Sequence, residues 1–168
     1  IDNTFAGPVL QNPLGLGMDV VVHSGTKYLG GHSDLCCGIA VGSKEKVKRI
    51  LGLARHFGGA MNAQTCYLLE RSLKTLALRM ERQTENAGRI AGYLSERKDV
   101  KKVYYPGLSV SPGHAIARSQ MTGFGAMLSF ELDVAAIGPD DHLRRLKLIR
   151  ESGNLGAGGH ARARPADG

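Results

Sequence analysis

Two short runs, "MDVVVHSG" at 18–25 and "CGIAVGS" at 37–43, set β-branched residues side by side between glycine, serine and aspartate. Continuous apolar runs of this length predict strands buried on both faces. Between them lies a polar, glycine-rich loop that holds Lys27. Ser43 stands where a helix N-cap would, which predicts a helix through "KEKVKRIL" ending near Gly52. From Asn62 to Arg97 no proline interrupts the chain, and Leu69, Leu73, Leu76, Met80, Ala87, Ala91 and Leu94 recur at steps of three, four or seven. That spacing keeps one apolar stripe on a long helix able to bridge two domains. Gly88 and Gly92 mark its weak point, where a bend or break is expected.

Downstream, "VKKVYYPG" predicts a strand stopped by Pro106 and Gly107, and "SPGHAIARSQM" a helix opened by Ser111 before Pro112. "GAMLSFEL" predicts a strand with Leu128, Phe130 and Leu132 on one face. "GPDDHLRRLKLI" predicts another helix, with Asp140 and Asp141 at its positive end. Beyond Arg150 the chain turns to Gly, Ala and Arg, with no large apolar residue after Leu155, so residues 151–168 are expected to have little regular structure. No repeat occurs at a solenoid period.

With 42% hydrophobic residues the 168-residue chain can form a globular core, and disorder is not its default. The net charge of +7 could suggest a polyanionic partner, but bases alternate with acids in "SKEKVKR" and "LRMERQTENAGR" as on solvated helix faces. Aromatic residues make up 5% and Trp is absent, which leaves few platforms for base stacking; nucleic acid is not the expected partner. Cys36, Cys37 and Cys66 are odd in number and lack CxxC spacing, which argues against a disulfide framework or structural zinc and reads as buried thiols in a reducing, cytoplasmic compartment. No run approaches the roughly 20 apolar residues of a membrane span. The start, "IDNTFAGP", has neither an initiator Met nor a signal core, and reads like the middle of a longer chain.

The candidate chemistry centres on "HSGTKYLGG" at 23–31. A lysine emerging from an apolar strand is placed for covalent catalysis through its neutral amine. Hydroxyls and amides of a glycine-rich turn, here Ser24 and Thr26, can cradle a phosphate. A pyridine-type cofactor also needs an ionised carboxylate for its ring nitrogen, and Asp2 is the candidate. A Walker A loop is excluded, since GxxxxGK[ST] does not occur and Lys27 precedes Tyr28. His23, His32 and Asp34 do not have metal-ligand spacing and read as structural residues; no metal site is expected.

Taken together, "DVVVHSGTKYLGGHS" from Asp19 to Ser33 resembles the lysine signature of the Cys/Met-metabolism enzymes that use pyridoxal 5'-phosphate (PLP): cystathionine γ-synthase, cystathionine lyases, methionine γ-lyase and homoserine-ester sulfhydrylases. "DNTFAGPVLQNPLGLG", "LLERSLKTLALRMERQTENA" and "KKVYYPGL" resemble further blocks of the family, in order, over roughly residues 1–150. The resemblance implies that Lys27 holds PLP covalently and then acts as general base, that Asp2 pairs with the pyridine nitrogen, and that Ser24 and Thr26 bind the phosphate. It implies an α/β, aspartate-aminotransferase-like fold, incomplete here: residues 1–85 end a large PLP domain, residues 86–150 form part of a small C-terminal domain, and 151–168 are a divergent tail.

Family members are commonly homotetramers whose dimers share active sites. The family's remaining phosphate-binding glycines, its cofactor-stacking tyrosine and the Tyr and Arg lent by a neighbouring subunit precede the aspartate segment, so this chain alone is expected to be inactive. "SGNLGA" at 152–157 is similar to the start of the loop preceding the family's substrate-binding arginine, with Asn154 where many members have Ser; Arg162 and Arg164 are not assigned that role. The implied reaction is C–S bond cleavage in a sulfur amino acid by β- or γ-elimination. The alternatives are γ-replacement on a homoserine ester and a non-catalytic remnant of the fold.

Overall fold

The computed structural model describes residues 1–133, 150–151, 155–156 and 161–162. Strand β1 (Val20–Ser24) pairs antiparallel with β2 (Gly38–Gly42), Val20 opposite Gly42 and Ser24 opposite Gly38. On the other edge of β1 the first residues run parallel to it. Asp2 bridges Val22, the Asn3 amide donates to Val22 O at 2.9 Å, and the Val22 amide donates to Ile1 O at 2.8 Å. β1 is therefore the middle lane of three.

The expectation of strands buried on both faces is corrected. In β1 Val21 and His23 are buried while Val22 is 40% exposed, and β2 has no buried residue. An antiparallel pair with one open face alternates in this way, whatever its run of valines suggests.

Ser43 caps α2 (Lys44–Phe57) as expected, its Oγ accepting from the Lys46 amide. The helix does not stop at Gly52. One internal glycine costs only about 1 kcal/mol, and the stop comes at Gly58, which takes the left-handed conformation and donates to Ala54 O.

Nor is the long helix continuous. It is divided into α3 (Ala63–Leu73), capped by Asn62, and α4 (Leu76–Ser95), and the break falls at Lys74 and Thr75 rather than at Gly88 or Gly92. Ahead of the break, the buried stripe of α3 passes through Leu69 and Ser72, and Leu73, which was expected on it, is exposed. Leu69, Leu76, Met80, Ala87 and Ala91 are buried as the spacing predicts.

β3 (Val100–Tyr104) pairs antiparallel with β4 (Ser129–Leu132), with a register slip between Val100 and Lys102. Of the expected inner face of β4, Leu128 packs on the core and Leu132 is half-buried, but Phe130 is exposed. α5 (His114–Gln120) begins after Gly113, two residues beyond Pro112's expected start, because residues 111–114 close a turn in which the His114 amide donates to Ser111 O. Two hydrophobic clusters result. Leu10, Tyr28, Leu29, Leu69, Leu76 and Met80 form one, and Ala87, Ala91 and Tyr105 form the other, with α4 passing through both.

In the tail, β5 (Arg150–Glu151) pairs parallel with β6 (Ala161–Arg162), so at these positions the expected irregularity gives way to backbone pairing, which any side chain permits. The expected helix at 138–149, Asn154 and Arg164 lie outside the described residues.

Candidate functional site

β1 delivers its last residue, Ser24, into a tight turn, Gly25–Leu29, closed by the Gly30 amide donating to Gly25 O at 2.8 Å. Within it Lys27 departs from helical geometry, with φ −85° and ψ −119°, and its carbonyl accepts from the Gly31 amide at 2.7 Å. The half-buried lysine is thus carried on backbone fixed before and after it.

Asp2 lies in the neighbouring lane beside Val22, the middle of β1, two residues before its end. Its Oδ1 accepts from the Thr4 amide at 2.8 Å, and the Thr4 hydrogen bonds hold its carboxyl below the ordinary aspartate range, with His23 adding a smaller pull. His23, buried on β1, also has its pKa lowered, but here the charged form is the one disfavoured: burial lowers the value and the Asp2 charge only partly opposes this. Among the described residues its Nδ1 has no hydrogen-bond partner.

Thr4 is the residue that sequence reading missed. Its amide serves Asp2 while its Oγ1 accepts from the Ser24 amide at 2.8 Å, so a single buried side chain ties the carboxylate segment to the strand end. The signal was present in "DNT", since an Asp bonded to the amide two residues on is an Asx turn.

The two hydroxyls differ. Ser24 makes no capping bond with its side chain. Thr26 Oγ1 accepts from the Cys37 amide at 3.0 Å and lies 3.5 Å from Cys37 O, so its lone pair is used while its proton is only weakly held. Both remain able to donate to an anion. An amine and two hydroxyl donors at or just past the end of β1, with an ionised carboxylate in the adjacent lane beside its middle and a buried ring nitrogen without a partner among the described residues, fit a phosphorylated pyridine cofactor.

Two segments close on the turn from elsewhere. Gly156 has φ +88°, and a Cβ there would lie 2.6 Å from Lys27 C and Tyr28 N, so this backbone packs directly on the lysine. Arg79, on the first turns of α4, donates to Tyr28 O and Leu29 O. His32 Nδ1 is 2.6 Å from Gly30 O and 3.4 Å from Ser72 Oγ, which gives it a structural task apart from His23 and Asp34. Among the described residues no group of three or more His, Cys, Asp or Glu side chains could hold a metal ion.

The expectation of buried thiols is overturned: Cys36 and Cys66 are exposed and Cys37 is half-buried. Cys36 lies in the loop before β2, and Cys66 on the solvent side of the first turn of α3.

A family model described as "Cys/Met metabolism PLP-dependent enzyme" matches residues 1–160. The chain is 53% identical over 133 residues to a cystathionine beta-lyase of Lactococcus lactis subsp. cremoris (strain MG1363), covering 79% of this chain and 35% of that protein. It is 44% identical over 157 residues to a cystathionine gamma-synthase of Mycobacterium leprae (strain TN), covering 93% and 40%. Among solved structures, cystathionine gamma-lyase from Lactobacillus plantarum complexed with L-serine superposes with a TM-score of 0.91 at 43% identity, covering 97% of this chain and 43% of that one. The chain thus spans well under half the length of the relatives it matches.

Proposed function

Because the chain belongs to the Cys/Met metabolism PLP-dependent enzymes, we propose that it carries the cofactor-holding part of an enzyme that cleaves the C–S bond of a cystathionine-type amino acid. Its fold is the α/β fold of the PLP-dependent cystathionine lyases and synthases, in part. The observation that carries the reading is Lys27 in its non-helical turn directly after β1, with Ser24 at the last position of that strand and Asp2 bridged to Val22 two residues before it.

In this proposal Lys27 holds the cofactor and later takes and returns the substrate α-proton at its ε-nitrogen. Asp2, kept ionised by Thr4, faces the pyridine nitrogen and keeps it protonated. Ser24 and Thr26 donate hydroxyl protons to the phosphate. When bound, PLP supplies the electron sink that lets a carbon acid ionise and expel a thiol at the β or γ carbon.

We place the end of the PLP domain near residue 85, between the two hydrophobic clusters on α4. We assign the enzyme to the cytoplasm as a homo-oligomer, a dimer or tetramer, acting on a small sulfur amino acid. Among the described residues no helix is long and apolar enough to cross a membrane. Phe57 at 85% exposure and Leu53 at 61% on α2 leave apolar surface that further chain or a second subunit would cover, which supports the view that residues 1–168 do not turn over alone.

The test is chemical. Borohydride reduction of the full-length gene product with PLP should add the cofactor's mass to the peptide holding Lys27, and Lys27→Ala should abolish it. In a separate, unreduced sample cystathionine alone should yield a 2-oxo acid; labelling at another lysine, or no 2-oxo acid, refutes the reading. The match to a gamma-synthase favours γ-replacement as the second reading. Product formed only when O-acyl-homoserine is supplied with cysteine or sulfide would select it.

A further inference from the structure

Arg79 lies 51 positions after Tyr28, inside the block "LLERSLKTLALRMERQTENA" but with no role assigned to it there. Its Nη1 donates to Tyr28 O at 2.7 Å, and its Nη2 donates to Leu29 O at 3.3 Å and Ser72 O at 3.0 Å. Its Nε donates to Thr75 Oγ1 at 3.1 Å. Three of these four acceptors are main-chain carbonyls, and among the described residues no carboxylate forms a salt bridge with this cation.

The lysine turn has few donors of its own for its last carbonyls, which a tight turn leaves without intrahelical partners. Lys27 O is served by the Gly31 amide, Gly30 O by the His32 ring, and Tyr28 O and Leu29 O by Arg79 alone among the hydrogen bonds of the described residues. Gly31 has φ +70°, and any Cβ there would collide with Arg79 Nη1, so the backbone is shaped around the guanidinium. The same side chain fills the break between α3 and α4 through Ser72 and Thr75. A planar fork of donors can reach all of these at once, while the single ammonium of a lysine cannot.

We propose that Arg79 is a positioning residue for Lys27, fixing the backbone that aims the ε-amine by bonding the two carbonyls that follow it and the helix break behind it. The inference rests on the reading of Lys27 as the cofactor-bearing amine. Arg79 itself touches neither cofactor nor substrate in this account. Its effect is on aim, and misplacement of about 1 Å at a reacting group can cost on the order of a hundredfold in rate.

The test uses the full-length gene product as wild type, Arg79→Lys and Arg79→Ala. Arg79→Lys should raise the PLP dissociation constant, move the pH midpoint of the bound cofactor's visible band, and lower kcat by on the order of tenfold or more with KM nearly unchanged. In cofactor-free protein it should speed amide exchange at Tyr28–Gly31 more than elsewhere. Added guanidinium should restore part of the Arg79→Ala loss. Should Arg79→Ala not fold, Thr75→Val, which removes the Nε partner and the Thr75 hydroxyl's own bond to Ser72 O but leaves Arg79 on Tyr28 O and Leu29 O, should shift the same readouts less in the same direction. An Arg79→Lys protein with wild-type midpoint, affinity and exchange would overturn the proposal, as would a uniform loss of stability with no local change at 28–31. Failure of wild type to be labelled at Lys27 sinks the functional reading instead, and the exchange rates still decide whether Arg79 braces the turn.

Discussion

Thr4→Val isolates the link between the carboxylate segment and the strand end. Valine has nearly the shape of threonine, so it opens no cavity. It removes the acceptor that holds the Ser24 amide at 2.8 Å, at a residue only 8% exposed, and it removes the hydroxyl's contribution to Asp2 while leaving the Thr4 amide in place. A buried donor left without a partner costs about 1–3 kcal/mol, a factor of roughly 5 to 150 in an equilibrium. If Ser24 keeps its place, that cost appears as lost stability; if it moves toward another acceptor, the cost appears as weaker binding of the anion its hydroxyl serves. Urea unfolding and a PLP titration of the full-length gene product together capture the sum. A third readout is the Asp2 carboxyl, whose midpoint by carbon-13 NMR should start below that of an ordinary aspartate and rise toward it in Thr4→Val. Thr4→Ser, which keeps the hydroxyl, should recover most of all three. Thr4→Val within about 0.5 kcal/mol of wild type, with affinity and Asp2 midpoint unchanged, would refute the reasoning.

Met80 is fully buried between the lysine turn and α1 (Gly7–Leu10), so Met80→Ala should cost about 2–5 kcal/mol in urea unfolding, whereas Leu78→Ala at a 69% exposed site should cost under about 0.5. Gly156→Ala should displace residues 155–156 from Lys27 and lower turnover more than it lowers the unfolding midpoint, because the clash is with the Lys27 backbone; unchanged kinetics would show the contact to be idle. His23 has its pKa lowered by burial, so the folded state disfavours its proton. Its contribution to stability is complete above the unfolded value of about 6.5 and is lost as pH falls through the folded value. The stability lost between about pH 6.5 and 5 should therefore shrink in His23→Gln, and an identical pH slope in the two proteins would count against it.

What could be read from the sequence was local. Ser43 is a strong cap wherever it stands before a helical run, and Lys27 between a strand and two glycines is conspicuous on type and order alone. The helix break was not legible. Lys74 and Thr75 are ordinary helix residues, and what stabilises the break is Arg79 bonding Ser72 O and Thr75 Oγ1. Gly88 and Gly92 stayed helical because Ala87 and Ala91, on the same turns, are buried against Tyr105 and its neighbours, and tertiary packing outweighs about 1 kcal/mol of propensity per glycine. Arg79 escaped notice because its partners are backbone carbonyls, which carry no residue identity for a motif to record. The exposure of Cys36 and Cys66 depends on which side of a loop or helix faces solvent, a matter of packing rather than composition.

α4 is held at two points. Arg79 fastens its first turns to the lysine turn, and Tyr105, through its hydroxyl to Gly125 O at 3.1 Å and Thr84 O at 3.4 Å, fastens the region around Ala87 and Ala91. Between Met80 and Ala91 the helix advances about 16 Å at 1.5 Å per residue. Such a rod is a lever with one end at the turn that holds Lys27, the amine proposed to carry the cofactor. A tilt of about 5° imposed at the Tyr105 end moves the other by about 1.4 Å over that length, comparable to the misplacement that costs two orders of magnitude in rate. Substitutions around Tyr105, remote from any chemistry, are thus mechanically joined to the aim of Lys27.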